Sequence, residues 1–122
     1  MKITLPLAPS QNDLLRMHWS KRKKKQKEIG WLIVQQVGNR SAALCGVHVT
    51  ITRKSVGVEP DPDNLTASAK LILDALQRVN VIKDDSPQYI SLAVEWERAK
   101  KRVEQGTVVT IEKWDLDKVQ DG

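Results

Sequence analysis

The sequence predicts an α+β fold: a small single domain with the element order β-α-β-α-β-β, in which two helices pack on a mixed sheet. Three observations carry that prediction. The chain has 122 residues, enough for one modest core and too few for two. Two segments repeat their apolar residues at the helical period, and four others read as strands. No internal repeat or linker divides the segments, so helices and strands share one layered core.

Lys2 to Leu5 reads as a short strand, stopped by Pro6 and Pro9. Pro9 to Asp13 reads as loop, in which Ser10 or Asn12 can hydrogen-bond the local backbone. The first helix takes Ser20 as its N-cap, runs through Ile29, Leu32, Ile33, Gln36 and Val37, and ends at Gly38-Asn39. Gly46 to Lys54 alternates, with Val47, Val49 and Ile51 on one face and His48, Thr50 and Thr52 on the other. His48 is then a sheet-face residue rather than a base. Leu65 to about Val79 is the second helix, because Leu65, Ala69, Ile72, Leu73, Leu76 and Val79 recur at offsets of three and four.

Gln88 to Glu97 alternates through Ile90, Leu92, Val94 and Trp96, and Thr107 to Trp114 forms the last strand. These two are expected to make an antiparallel pair across the basic connector Arg98 to Gly106. The domain thus spans residues 1–114, and 115–122 read as a frayed tail. With no Phe and one Tyr, the core is expected to draw on Val, Ile, Leu and the four Trp, including Trp19. Cys45 reads as a small buried residue entering a strand. So small a core would gain from dimerisation.

Composition excludes several classes. No apolar run approaches a membrane span and no signal-peptide core follows Met1, so a cytoplasmic location is expected. One cysteine excludes an internal disulfide, and the two histidines, His18 and His48, have no zinc-ligand spacing. The net charge of +5 is unevenly spread: Arg16 to Lys54 holds ten Lys or Arg against Glu28 alone, whereas Ser55 to Glu95 holds three against seven acids. An enzyme that attacks a polyanion with carboxylates needs this division, since Lys and Arg must offset the repulsion between carboxylate and phosphate.

The basic half is concentrated in Lys21, Arg22, Lys23, Lys24, Lys25 and Lys27. Positive charge at a helix N-terminus opposes the macrodipole, so the run does not serve helix stability. A phosphate backbone turns that cost into attraction. Arg53 and Lys54, leading into the acidic half, are further DNA-binding candidates. The competing interpretation is a solvated basic face.

The acidic half centres on Asp61-Pro62-Asp63-Asn64 before the second helix and Asp84-Asp85 after it. In an extended segment Asp61 and Asp63 point to the same side, and Pro62 favours that conformation at Asp61. Two carboxylates so close repel unless a cation lies between them. An oxygen-only donor set suits Mg²⁺, and Mn²⁺ would fit it too. Lys70 and Asp74 share a stripe with Asp63 on the helix. Structural uses compete with this one: Asp63 or Asn64 as N-cap, Lys70–Asp74 as a helical ion pair, and Asp84-Asp85-Ser86-Pro87 as a turn.

The run Asp61-Pro62-Asp63-Asn64-Leu65, then Lys70, Asp74-Ala75-Leu76 and Asp84-Asp85-Ser86, resembles the RusA-type Holliday-junction resolvases, phage-associated endonucleases that cut four-way DNA junctions. Ile3-Thr4-Leu5-Pro6, Pro9-Ser10 and Asn12 resemble the amino terminus of that family. The resemblance implies that Asp61, Asp63 and Asp85 bind a catalytic metal and that Lys70 assists. It further implies a homodimer that makes paired phosphodiester cuts, phage or prophage encoded, in DNA recombination and repair. A non-catalytic DNA-structure-binding protein is the alternative, with the carboxylates serving as caps and turn residues.

Overall fold

The computed structural model describes residues 1–38 and 43–114. Along this chain lie β1 (Lys2–Leu5), α1 (Gln11–Arg16), α2 (Trp19–Val37), β2 (Val47–Ser55), α3 (Pro62–Arg78), β3 (Ile90–Arg98), a 3-10 turn (Arg102–Glu104) and β4 (Gly106–Lys113). The tail expected to fray, 115–122, and Asn39 at the first helix's end lie outside the described residues. The strands form one mixed four-stranded sheet in the order β1-β4-β2-β3, so the α+β expectation holds.

Alternation assigns each side of the sheet its task. Val47, Val49 and Ile51 of β2 point to the same side as Ile3 and Leu5 of β1 and Val109 and Ile111 of β4, and all are buried beneath the helices. The opposite side carries Thr4, His48, Thr50, Thr52, Thr110 and Glu112, a polar set that needs no cover. His48 is exposed there, as expected of a sheet-face residue.

The expected β3–β4 hairpin does not form. β3 pairs in parallel with β2, from Val47↔Ile90 to Ser55↔Arg98, and β4 runs antiparallel between β1 and β2. The reason is topological: α3 is a crossover helix that returns the chain beside the strand it left. The backbone N–H of Ala99 then bonds to Ser55 O at 2.9 Å, extending that pairing past the strand end.

α3 is buried more widely than a single stripe, with Ser68, Ala69, Leu71, Ile72, Leu73, Ala75 and Leu76 all inaccessible. Small residues let it sit between the sheet and its helical neighbours. α2 makes a matching concession at Gly30, where a Cβ would lie 3.0 Å from Val79 Cγ1. At the free edge of β1, the Gln36 carboxamide of α2 accepts from Thr4 N at 2.9 Å and donates to Thr4 O at 2.7 Å, doing what a neighbouring strand would.

Local expectations need four corrections. Residues 11–16 form a helix, not a loop, because Ser10 and Asp13 make a reciprocal capping box. α2 begins at Trp19 with His18 as its N-cap, since the His18 ring accepts from Ser20 N. Trp19 is 64% exposed rather than part of the core, and Trp31 is equally so; aliphatic residues fill the interior instead. Cys45 is exposed, because it precedes β2 and lies outside the alternating buried set.

Candidate active site

α3 starts at Pro62, three residues before the expected Leu65. Asp61, extended at φ −67° and ψ 161°, is the N-cap and accepts from Asn64 N at 2.9 Å. Proline fits the first helical position because it has no N–H to satisfy. Asp63 therefore lies in the first helical turn, where its charge suits the macrodipole, and not in an extended segment beside Asp61. The strand-like juxtaposition of these two carboxylates is thus replaced by a capping geometry.

The other acidic point does fold back. After Val79 the chain turns through Asn80 at φ +65°, the left-handed region that Asn tolerates better than most residues. Val81 N bonds to Leu76 O at 2.9 Å, Val81 and Ile82 are buried, and Ile82 makes a parallel bridge to Leu44. This anchored turn carries Asp84-Asp85 alongside the middle of α3. Lys70 Nζ lies 3.8 Å from Asp74 Oδ1, one turn along the helix, and 3.8 Å from Asp85 Oδ2 across the turn. Lys70 remains 65% exposed, so each ion pair contributes at most about 0.5 kcal/mol to stability.

Two buried oxygens beside these carboxylates lack a hydrogen-bond partner among the described residues: Asn64 Oδ1, next to Asp63, and Ser86 Oγ, next to Asp85. Leaving such atoms unpaired costs about 1–3 kcal/mol each. The candidate metal ligands Asp61, Asp63 and Asp85, and these two oxygens beside them in the sequence, are all oxygen donors, the chemistry a hard divalent cation prefers. Among the described residues, no three His, Cys, Asp or Glu side chains are already grouped to hold a metal. The fold thus unites Asp85 with Lys70 and Asp74, and leaves Asp61 and Asp63 at the cap of the same helix.

The basic candidates also separate. Lys21 to Lys27 occupy the N-terminal half of α2, largely exposed, with Lys23 Nζ 5.3 Å from the centre of the Trp19 ring. Arg22 donates to the Leu14 carbonyl, tying α1 to α2, and is otherwise exposed. Arg53 faces the helices, where it meets Ala8 O and Ser68 Oγ, whereas Lys54 follows it onto the open face of the sheet. Both belong to β2, but they cannot address one ligand surface.

The sequence offered Lys70–Asp74 as a helical ion pair from its i,i+4 spacing, and the two are 3.8 Å apart; that Asp85 joins them had no local signal. That Asn64 Oδ1 and Ser86 Oγ are buried without a partner had no such signal either, because it follows from packing. No protein-family model matches this chain, and no curated protein matches it. Function is therefore inferred from residues and geometry.

Asp61 allows its structural and chemical uses to be separated. Asp61→Asn keeps an acceptor at the N-cap and should leave stability within a few tenths of a kcal/mol, whereas Asp61→Ala should cost about 1 kcal/mol. Denaturant midpoints of the two variants check this. Loss of metal-dependent activity in the stable Asn variant would then report the charge rather than the cap.

Proposed function

We propose that the chain is a Mg²⁺-dependent endonuclease that resolves four-way branched DNA, as the RusA-type resolvases it resembles do, and that it works as a homodimer. The supporting observation is the meeting of Lys70 with Asp85 and Asp74 at 3.8 Å, although Lys70 and Asp85 stand fifteen positions apart. Asp61, Asp63 and Asp85 are the residues that would hold Mg²⁺, or Mn²⁺ in its place. A bound divalent ion would supply an acidified water and charge neutralisation at the phosphate.

The chain's own groups have distinct tasks. Asp74 and Asp85 orient the Lys70 ammonium and keep it at the acidic point. As a phosphodiester approaches, Lys70 exchanges a carboxylate for a phosphate oxygen and offsets the negative charge that grows there. The lysines of α2 hold neighbouring phosphates and release counterions, which overcomes the repulsion between DNA and the carboxylates. Two identical sites related by a two-fold axis would provide the paired cuts a four-way junction requires. Action in recombination and repair, in the cytoplasm of a bacterial cell and from a phage or prophage gene, belongs to the same proposal.

One observation favours a second reading, a non-catalytic DNA-structure-binding protein: Asp61 already serves as a helix cap and Lys70 is already paired with two carboxylates. Incubation with a labelled four-way junction and a matched duplex, in Mg²⁺, Mn²⁺ or chelator, decides between the two. The expected result is paired nicks in the junction alone, only with metal. Junction binding without cutting in any metal would favour the second reading.

A further inference from the structure

Arg53 is half-buried, and the way it is held leaves most of its capacity unused. It donates from Nη1 to Ala8 O at 2.6 Å and from the same nitrogen to Ser68 Oγ at 2.8 Å. A guanidinium has five N–H donors in a planar fork, suited to a tetrahedral oxyanion. Beside it lies a cavity of about 490 Å³, also lined by Arg16, Lys21 and Lys25. The one carboxylate in that lining, Asp13, is already engaged in the α1 capping box, accepting from Ser10 N at 3.4 Å.

Lys25 Nζ has a further carboxylate within reach, Glu28 Oε2 at 3.9 Å in an exposed pair, but four cations against Asp13 and that one pair remain a surplus of positive charge unfavourable for folding alone. Burial lowers the Arg53 pKa from its ordinary value, and Asp13 raises it only in part. An anion in the cavity would offset the desolvation and the mutual repulsion of the four. The lining joins three elements, α1, α2 and β2, so the charges approach from several directions, as the oxygens of a phosphate require.

α1 also relates this cavity to the acidic site. Asp13, Arg16 and Met17 line the cationic cavity, while Leu14 and Leu15 of the same helix line a second cleft of about 280 Å³ that includes Lys70 and Asp74. One short helix is the partition between them. A strand crossing α1 would have a phosphate gripped on one side and its neighbouring backbone presented to Lys70 on the other.

We propose that the cavity formed by Arg16, Lys21, Lys25 and Arg53 is a discrete phosphate-binding pocket. The identification of its ligand as DNA rests on the endonuclease reading above; the pocket rests on its own geometry. The phosphate is either a diester within a strand or a monoester at a strand's 5′ end.

The test is fluorescence anisotropy of the full chain in chelator, where no metal-dependent cutting intervenes. It uses a four-way junction and two single strands of one sequence, one 5′-phosphorylated and one 5′-hydroxyl. Arg53→Gln and the double variant Lys21→Gln/Lys25→Gln are compared with Lys100→Gln/Lys101→Gln, which loses the same charge as the first double variant but lies in the β3–β4 connector. Each pocket variant should bind about tenfold more weakly than wild type, and the pocket double variant should lose one to two units of salt slope. The connector variant should stay within about threefold.

Because Arg53→Gln also removes bonds to Ala8 and Ser68, the Lys21/Lys25 pair decides the outcome if that variant melts early. Inorganic phosphate should raise the melting temperature of the wild type and not of the Lys21/Lys25 variant. Equal losses in pocket and connector variants, with no phosphate effect on melting, would overturn the pocket. A preference for the 5′-phosphorylated strand would assign the monoester, and equal affinity the diester. A chain that never cuts but shows the pocket-specific loss keeps the pocket without the endonuclease; one that cuts but shows no difference keeps the endonuclease alone.

Discussion

Replacing Asp85 by Asn should abolish metal-dependent cutting of a four-way junction, lowering the single-turnover rate by roughly a hundredfold or more, while leaving the fold intact. The fold is spared because Asp85 contributes only a surface ion pair to Lys70 at 3.8 Å, within the range where loss costs a few tenths of a kcal/mol. Its backbone N–H still bonds to Asp84 Oδ1 at 2.7 Å, so the turn keeps its internal support. Junction affinity should match or exceed that of the wild type, since a negative charge facing phosphate has been removed. Asp74→Asn, which breaks the other arm of the Lys70 triad, should slow cutting far less, because Asp74 positions Lys70 without belonging to the proposed metal set. Quench-flow cleavage, junction binding in chelator and thermal melting together test this. An Asp85→Asn protein that cuts at the wild-type rate removes the acidic point from the mechanism.

Ile72→Ala should be the most damaging of the conservative core truncations. Ile72 is fully buried on α3 and belongs to the one cluster that joins α2, α3 and the inner side of the sheet. Removing its methylene and methyl groups loses their transfer free energy and leaves a cavity, at a cost of about 3 kcal/mol. A domain of this kind has only about 5–15 kcal/mol of stability, so a large share would disappear. The melting temperature should fall by roughly 10 °C. Val103→Ala makes the comparison internal: Val103 is 89% exposed in the β3–β4 connector and its truncation should change stability by less than about 0.5 kcal/mol. Equal denaturant midpoints for the two variants would mean that the core is not organised around α3.

The same physical distinction explains what could be read in advance. β1, β2 and the apolar register of α2 and α3 were legible because alternation and the 3.6-residue period are properties of neighbouring residues. α1 was legible in principle, since Ser10 and Asp13 stand at capping-box spacing, but Pro9 and the polar run favour a loop equally well. The start of α3 was misplaced by three residues for a similar reason: Asp61-Pro62 suits extended chain as readily as it suits an N-cap and first turn.

Partner choice was decided elsewhere. The strand at Ile90 is compatible with a hairpin to β4 or a parallel pairing to β2, and the burial of α3 against the sheet selects the second. Whether Trp19 is core or surface depends on what covers the start of α2, and nothing local records that.

By itself the sequence determined the α+β composition, the buried faces of its periodic elements, and the division into a basic and an acidic half. These follow from local periodicity and from charge, which every residue carries wherever it is placed. Only the tertiary structure decided that Asp85 meets Lys70 while Asp61 caps the helix, that Arg53 and Lys54 face opposite sides of the sheet, and that α1 separates a cationic cavity from the cleft that holds Lys70 and Asp74. Each is a meeting of residues remote in sequence, set by the crossover through α3 and by the buried turn at Val81 and Ile82. Burial of apolar surface chose those paths, and the charged groups were carried to their positions by it.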